Sequence, residues 1–259
     1  MKKAIFLFDR TGIMAQPWLN AGVECWIFDG QHETGVHRDA NNPLLVRVGM
    51  WFDANNVEGD ALTVTDFVKS GIVFVASFAE CTYLTSTGAR WFYHPDDKHL
   101  PTSERRPHPN YPNRRQDQKD AVKLARLVEE VASFATLENG VLSWGPEVPW
   151  MLENPAIGAL NTKWRRPDHK FHPNEYGGYL PEDDAHPLYP EVYPPRDGYN
   201  KLTGIWCGGG FVMPERKPVP GVKHNPGWAK CGGKSLRTKN IRSCTPRGFA
   251  QAVFDANYK

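Results

Sequence analysis

Short apolar runs that end in polar turns recur along the first part of the chain. Residues 4–8 and 23–28 are two such runs, and residues 14–21 between them have helical spacing. The first run leads into a turn at residues 9–12, and Asp29 follows the second. A strand, a glycine turn, a helix and a second strand closed by an acid open a doubly wound sheet, so this order predicts an α/β fold.

The same patterns predict the other core elements. Apolar runs at residues 45–52, 72–78 and 149–155 predict three more strands. Residues 117–137 carry apolar side chains at helical spacing and predict the longest helix. Residues 102–116 are rich in Pro and Arg and predict an exposed loop.

The chain changes character after Pro155. Residues 160–200 are crowded with Pro, His, Tyr and Trp and show little periodicity. A short strand is predicted at residues 204–207, and a closing helix over residues 245–256 has Pro246 near its first turn. We therefore expect a core region, an irregular region and a helix that returns to the core, at residues 1–159, 160–242 and 243–259.

The composition is typical of a globular protein. With 259 residues, of which 40% are hydrophobic, the chain can bury a large core, which excludes wholesale disorder. No apolar run approaches the roughly 18 residues of a membrane span, and the charge at Asp9 comes too early for a signal peptide. We expect a cytoplasmic protein that does not associate with membranes.

The cysteines and histidines do not form a metal-binding pattern. The five cysteines lack CxxC spacing, and His169 and His172 have no zinc-finger spacing to any of them. Free thiols and no metal site are expected.

The net charge of +2 conceals a basic segment. Residues 213–247 contain nine Lys and Arg against one Glu, a net charge of +8, which leaves −6 for the remainder. This asymmetry predicts a surface near the C-terminus that faces a polyanion. The alternative is a solvated basic face without a partner.

Polar residues follow four of the predicted strands. A glycine turn at residues 9–12 with an acid, Asp29, after the next strand suits a cofactor that carries adenosine, because the acid can accept hydrogen bonds from ribose hydroxyls. The absence of GxGxxG disfavours a dinucleotide, and ordinary turn chemistry is the alternative. Cys81 and Glu153 follow two other strands and pair a thiol nucleophile with a carboxyl group. Taken alone, Cys81 is typical of a buried structural thiol, and Glu153 is typical of a helix cap.

The ordered set of these motifs resembles the DNA (cytosine-5)-methyltransferases, and most of all their compact, phage-borne branch. The resemblance runs from about residue 4 to 257 and is carried by residues 8–12, Asp29, 81–88, 153–155 and 243–250. It implies an α/β fold with a Rossmann-like, seven-stranded methyltransferase sheet, helices on both faces and an irregular aromatic and basic C-terminal elaboration. Residues 1–159 would then be the catalytic core that binds S-adenosylmethionine, and residues 160–242 the substrate-recognition region.

The resemblance also implies a role for each motif. Cys81 would be the nucleophile, Glu153 would contact the target base, and Asn154 would help to orient Glu153. The residues implied to bind S-adenosylmethionine are Phe8, Asp9, Thr11, Gly12, Asp29, Asp53 and Phe249.

Carbon 5 of cytosine is a feeble nucleophile, which explains why these residue types are needed. A thiolate that adds at carbon 6 makes carbon 5 reactive, and a carboxylic acid at ring nitrogen 3 relieves the negative charge that develops. A stacked base is out of reach, so the target cytosine would be flipped out of a duplex or taken from a single strand.

The chain departs from the family pattern near these residues. Glu80 stands where the family has Pro, and a carboxylate beside Cys81 disfavours the thiolate. Pro155 follows Glu-Asn where most members have Val, and no Gln-x-Arg-x-Arg strand is evident. Little room remains for a separate target-recognition domain, so residues 162–242 would contact the nucleic acid. The candidate substrate-binding residues are Arg165, Lys201, Thr203, Lys234, Arg237 and Arg242.

Three functions follow from these observations. The first is a cytosine C5-methyltransferase acting on DNA, single or double stranded, with no obligate protein partner. The second keeps the cofactor and nucleophile but modifies a free nucleotide such as dCMP, or transfers another group. The third is a non-catalytic nucleic-acid-binding or decoy protein, which Glu80 favours.

Overall fold

The chain forms an α/β structure with one mixed eight-stranded sheet. A computed structural model describes residues 1–139, 147–232 and 235–259. The strands are β1 (Lys3–Leu7), β2 (Glu24–Phe28), β3 (Gly35–Arg38), β4 (Leu45–Gly49), β5 (Ile72–Ser77), β6 (Trp150–Pro155), β7 (His169–Phe171) and β8 (Thr203–Gly208). The helices are α1 (Gln16–Asn20), α2 (Val57–Val68), α3 (Arg114–Glu138), α4 (Leu160–Lys163), α5 (Pro226–Ala229), α6 (Leu236–Ser243) and α7 (Arg247–Asn257).

The strands lie in the order β3-β4-β2-β1-β5-β6-β8-β7. Strands β4, β2, β1, β5 and β6 are mutually parallel, whereas β8 is antiparallel to β6 and to β7, and β3 is antiparallel to β4. The α/β class is confirmed, but the sheet has eight strands rather than seven. The additional strand β3 is four residues long and largely exposed, so no apolar run marks it in the sequence.

Helices cover both faces of the sheet because its central strands are apolar on both sides. Along β1, Ala4 and Phe6 belong to one core cluster and Ile5 and Leu7 to the other. The first cluster is completed by α1 and α7, and the second by α2 and α3. Each face therefore removes a full layer of aliphatic and aromatic surface from water.

Several predicted elements agree with the structure and others were missed. The predicted longest helix begins three residues earlier than expected, at Arg114, and the closing helix has Pro246 as its N-cap. Helix α2 was not predicted, although Val57, Val64 and Val68 lie at helical spacing. Strand β7 was also missed, because three residues are too few to show a periodic pattern. Helix α6 was missed because its segment is mostly polar.

The chain after β6 contains only short helices and strands, over residues 160–232 and 235–246. These residues supply β7 and β8 to one edge, and α6 then crosses towards the loops that follow β2 and β5. Across the described ranges, no helix is both long and apolar enough to span a membrane.

Candidate active site at the carboxyl edge of the sheet

The carboxyl ends of the parallel strands form one edge of the sheet, called the rim below. The order of the parallel strands reverses between β1 and β5, and the Phe78 N–H donates to the Leu7 carbonyl across this point at 3.0 Å. In open α/β sheets, ligands bind in the crevice outside such a reversal. Asp9 follows β1 and Cys81 follows β5, so the two halves of the candidate site flank it.

Asp9 is held in a tight turn by its own neighbours. Its Oδ1 accepts hydrogen bonds from the Thr11 N–H at 3.0 Å, the Thr11 hydroxyl at 3.2 Å and the Gly12 N–H at 2.7 Å. Gly12 has φ of +69°, a backbone conformation that favours glycine. Burial outweighs these hydrogen bonds and raises the pKa of Asp9 to about 6. Asp9 is only 3% exposed, and its Oδ2 has no hydrogen-bond partner within the described chain.

The acids after β2 and β4 form similar turns. Asp29 accepts a hydrogen bond from the Gln31 N–H at 2.7 Å, and Asp53 accepts one from the Asn55 N–H at 2.8 Å. Burial is the main cause of the raised pKa of Asp29. The Phe8 and Phe52 rings meet edge to face with centroids 4.9 Å apart, which joins the loops after β1 and β4. The rim thus presents three acids in preformed turns beside two aromatic rings.

Cys81 opens a 3-10 turn, Cys81–Tyr83, that follows the end of β5 at Ser77 after a short connection. Its carbonyl accepts hydrogen bonds from the Leu84 and Thr85 N–H groups, both at 3.0 Å. The Leu84 carbonyl in turn accepts from the Ala159 N–H at 2.7 Å. These contacts fix the Cys81 turn against the loop that follows β6, and residue 81 itself is exposed.

Glu153 and Asn154 lie near the end of strand β6, on the same side of the strand reversal as Cys81. The Asn154 side-chain amide donates to the Ala79 carbonyl at 2.8 Å and so ties the end of β6 to the chain just before the thiol. Glu153 is 8% exposed, and its Oε1 lies 3.5 Å from the Lys201 ammonium, which enters from the segment before β8. This contact is an ion pair without hydrogen-bond geometry.

The electrostatics of the Cys81 thiol connect it with this pair. Burial of the sulfur is the largest cause of its raised pKa, Glu153 and Glu80 raise it further, and Lys201 opposes them. The Glu153–Lys201 ion pair therefore lies near enough to the Cys81 thiol for both of its charges to act on the thiol electrostatically.

Glu80, the departure beside the thiol, has partners of its own. Its Oε1 accepts hydrogen bonds from the Thr82 hydroxyl at 2.6 Å and from the Lys239 ammonium at 3.2 Å. Lys239 lies on α6, where Asn240 donates to the Gln31 side-chain oxygen at 3.2 Å. Helix α6, part of the basic segment, therefore bridges the loops after β2 and β5 at the mouth of the site.

Some predicted site residues lie elsewhere. Phe249 is fully buried against Phe171, with ring centroids 4.0 Å apart, because it faces the core from α7. Arg165 lies away from the rim, since it bonds Asp168 at 2.5 Å and the Cys207 carbonyl at 3.1 Å, and Cys207 pairs with Met151 rather than with the end of β6. Neither side chain is available to a ligand at the rim.

The four other predicted substrate contacts differ in their surroundings. Thr203 is fully buried and donates its hydroxyl to the Lys201 carbonyl at 3.1 Å, which shapes the approach of Lys201. Arg242 is used internally on the Gly227 and Cys231 carbonyls. Arg237 is exposed and pairs with Glu191 at 3.3 Å. Lys234 lies outside the described residues.

Residues that sequence reasoning missed support the site from outside. His32 is buried, and its Nε2 lies 3.1 Å from the Asp9 carbonyl oxygen. Its position three residues after Asp29 was the available signal. Arg114 is also buried and donates to the Thr82 carbonyl at 3.1 Å, a contact between residues 32 apart that no local motif reveals.

Comparison with known proteins gives no further identification. No protein-family model matches the chain, and no curated protein is significantly similar to it. Function is therefore inferred from the arrangement of side chains at the rim.

Proposed function

We propose that the chain is an S-adenosylmethionine-dependent methyltransferase that modifies carbon 5 of cytosine in DNA through a covalent adduct with Cys81. The observation that carries this proposal is the Glu153–Lys201 ion pair, with its charged atoms 3.5 Å apart, whose two groups both influence the Cys81 thiol electrostatically beside the strand reversal that also bears Asp9. The thiol follows β5 and the acid lies near the end of β6, in the chain order that the family resemblance implies, which supports the proposal.

The sheet is compatible with a Rossmann-like methyltransferase architecture. The parallel strands β4-β2-β1-β5-β6 follow the doubly wound order 3-2-1-4-5 when counted along the chain without β3. Strands β8 and β7 extend this sheet to seven strands, and β3 is then an addition at the opposite edge. This order supports a ligand site at the rim between β1 and β5.

The residues of the cofactor half fit S-adenosylmethionine. Asp9 Oδ2 is a buried acceptor with no partner among the described residues, and Asp29 is a carboxylate at the position that suits ribose hydroxyls. Phe8, Thr11 and Gly12 would line the path between them, with Asp53 near the adenine. When bound, S-adenosylmethionine supplies an electrophilic methyl group on a positively charged sulfur.

The residues of the thiol half match the needs of the cytosine. The Cys81 thiolate forms a bond to carbon 6, and the electron pair of the carbon 5–carbon 6 double bond becomes available at carbon 5. In this step Glu153 carries its proton instead of pairing as a carboxylate with Lys201, and it donates that proton or a hydrogen bond to ring nitrogen 3, while Lys201 adds positive charge beside the ring. Once carbon 5 carries the methyl group, a base removes the carbon 5 proton, the bond between carbon 6 and the Cys81 sulfur breaks, and the carbon 5–carbon 6 double bond re-forms as the thiolate leaves.

The basic segment favours a polymer over a free nucleotide. Lys239 and Arg237 stand on α6 at the mouth of the site, and the side chain of Arg237 is 73% exposed. Phosphates on either side of a target nucleotide would meet these cations, whereas a mononucleotide needs no such extended surface.

The proposal is tested by nucleoside mass spectrometry of DNA incubated with the protein and labelled S-adenosylmethionine. We expect labelled 5-methylcytosine with the wild type and none with Cys81→Ala. A duplex containing 5-fluorocytosine should form a covalent adduct at Cys81, because the carbon 5 proton that must leave is missing. Equal product from Cys81→Ala would overturn the mechanism, and Cys207→Ala is the matched control because Cys207 is a partly exposed thiol away from the rim.

The raised pKa of the Cys81 thiol specifically favours a second candidate, a non-catalytic nucleic-acid-binding or decoy protein. A thiol that stays protonated does not add to cytosine. DNA binding without an adduct to 5-fluorocytosine would support this candidate. Product with free dCMP but not with DNA would instead support the nucleotide-modifying alternative.

A further inference from the structure

The chain between the Cys81 turn and α3 has no part in the chemistry proposed above. It contains two 3-10 helices, Ser86–Trp91 and Pro95–His99, and encloses a cavity of about 260 Å³. We call this the aromatic cavity, and its principal lining residues are Arg90, Trp91, Tyr93, His94, Lys98 and Arg105.

The lining combines flat rings with cations and includes no carboxylate. The Arg105 guanidinium lies 5.6 Å from the centre of the Tyr93 ring, and the Arg90 guanidinium lies 4.9 Å from the centre of the Trp91 ring. Lys98 is exposed, and its ammonium has no hydrogen-bond or ion-pair partner in the described part of the chain. The lining therefore suits a ligand that has both a ring and a negative charge.

A histidine adds a directed donor to this surface. The His94 Nδ1 accepts a hydrogen bond from the Asp96 N–H at 3.3 Å, so the neutral ring carries its proton on Nε2. The neighbouring acid Asp97 is buried and forms an ion pair with Arg106 at 2.6 Å. Its negative charge is therefore balanced and does not repel an anion in the aromatic cavity. Asp96 is the other acid nearby, 3.6 Å from His94 Nδ1.

A buried arginine joins the aromatic cavity to the nucleophile turn. Arg114 donates to the Thr82 carbonyl and lies over the rings of Tyr83 and Phe92, at 5.1 and 5.7 Å. A Cβ atom at Gly88 would lie 2.5 Å from Arg114 Nη2, so the segment before Trp91 is packed directly on this arginine. The cavity and Cys81 are thus parts of one braced segment.

We propose that the aromatic cavity binds one nucleotide of the DNA strand near the target cytosine. Its base stacks on Trp91, and its phosphate contacts Lys98 and Arg90. This proposal rests on the proposed function only in that the ligand is a nucleic-acid strand. The volume lies below the roughly 300–1,000 Å³ of pockets for drug-sized ligands, which suits a single base. Base stacking on aromatic side chains beside a cationic backbone track is a general mode of single-strand binding.

The test measures binding of a fluorescein-labelled, single-stranded 12-nucleotide DNA with a central cytosine to the full chain, by anisotropy over a salt series. We expect Trp91→Leu to weaken binding by about 5–150-fold, the range for losing one base–aromatic stack, and Trp91→Phe to restore much of it. We expect Lys98→Ala to lower the slope of log K against log salt by about 0.7, the loss of one phosphate contact on a single strand.

Lys119→Ala is the matched control, because Lys119 is an exposed lysine on α3 that lines a different cavity. The proposal is overturned if Trp91→Leu and Lys98→Ala bind the 12-mer with wild-type affinity. It is also overturned if Lys119→Ala lowers the slope of log K against log salt as much as Lys98→Ala does. Equal affinity for dCMP and for the 12-mer would also overturn it. If the wild type forms the 5-fluorocytosine adduct and Trp91→Leu binds DNA as the wild type does, the nucleotide-binding role of the aromatic cavity is refuted and the proposed function stands. If the wild type does not bind DNA at all, the proposed function is refuted.

Discussion

The two halves of the candidate site are built in different ways. In the cofactor half, Asp9, Asp29 and Asp53 each accept a backbone N–H from two or three residues further along the chain. In the thiol half, Cys81 also opens a local turn, but the contacts that bring β6 to it join residues far apart, such as Asn154 with Ala79. Local turns fix the first half, and the assembled sheet fixes the second.

This difference sets how each half responds to substitution. An acid in a turn keeps its place while the turn persists, because the turn residues themselves supply its hydrogen bonds. The alignment of Glu153 with Cys81 depends on β5, β6 and the segment before β8 being in register. We therefore expect chemical steps to suffer most from changes in the thiol half, and pH-dependent stability to report on the cofactor half.

After the complete loss expected from Cys81→Ala, the largest effect is expected from Glu153→Gln. The amide is nearly isosteric but does not deliver a proton to ring nitrogen 3, so methyl transfer in a single turnover should fall by about 100–1,000-fold. The glutamine amide can still donate a hydrogen bond, so the fall measures the loss of proton transfer, and we expect it to match the cost of removing one group that stabilises developing charge. Labelled methyl transfer to DNA measures the rate, and the adduct with 5-fluorocytosine shows whether thiol addition itself is slowed.

A matched control for Glu153→Gln is Glu175→Gln, which breaks an ion pair of similar length with Arg216 outside the site. Lys201→Met extends the test, since the two groups act on one ring and their effects should be less than additive in the double variant. Transfer within threefold of the wild type in Glu153→Gln would exclude Glu153 as the acid.

The second effect concerns stability and pH in the cofactor half. The pKa of Asp9 is about 6 in the folded chain against 3.8 ordinarily, so the folded state holds this proton more tightly. The resulting stabilisation is complete below about pH 4 and is lost as pH rises through 6. A shift of about two units corresponds to at most about 3 kcal/mol. Asp9→Asn should flatten the fall in unfolding free energy between pH 4 and 7, measured by urea denaturation.

Asp197 provides the comparison for Asp9. Burial raises its pKa to about 6 as well, and it accepts the Gly248 N–H at the start of α7 rather than a turn at the rim. Asp197→Asn should remove a separate share of the same pH dependence, and the double variant should be the flattest. An unchanged slope in Asp9→Asn would show that Asp9 is ionised in the folded chain throughout this range.

The contrast between the halves also explains what the sequence reveals. Asp9, Asp29 and the strands before them are predictable, because an apolar run closed by a turn is a local signal. The placement of Cys81 and Glu153 at one edge follows once their strands are taken as parallel. The internal use of Arg165 and Phe249, and the position of α6, depend on pairings between distant segments, which a single sequence does not encode locally.

The smallest effect is expected from the contact between α6 and Glu80. Lys239→Ala leaves the Glu80 carboxylate without its cation, so the pKa of the Cys81 thiol should rise, whereas Glu80→Gln should lower it. Both groups are more than half exposed, so each shift should stay below one pH unit and shrink in 1 M salt. The pH dependence of Cys81 alkylation by iodoacetamide, resolved by peptide mass spectrometry, measures this. The control is Arg237→Ala, on the same helix but paired with Glu191, which should leave the pH dependence of alkylation unchanged. If the pKa of the thiol shifts in the same direction in Lys239→Ala and Glu80→Gln, the electrostatic coupling of α6 to the thiol is contradicted.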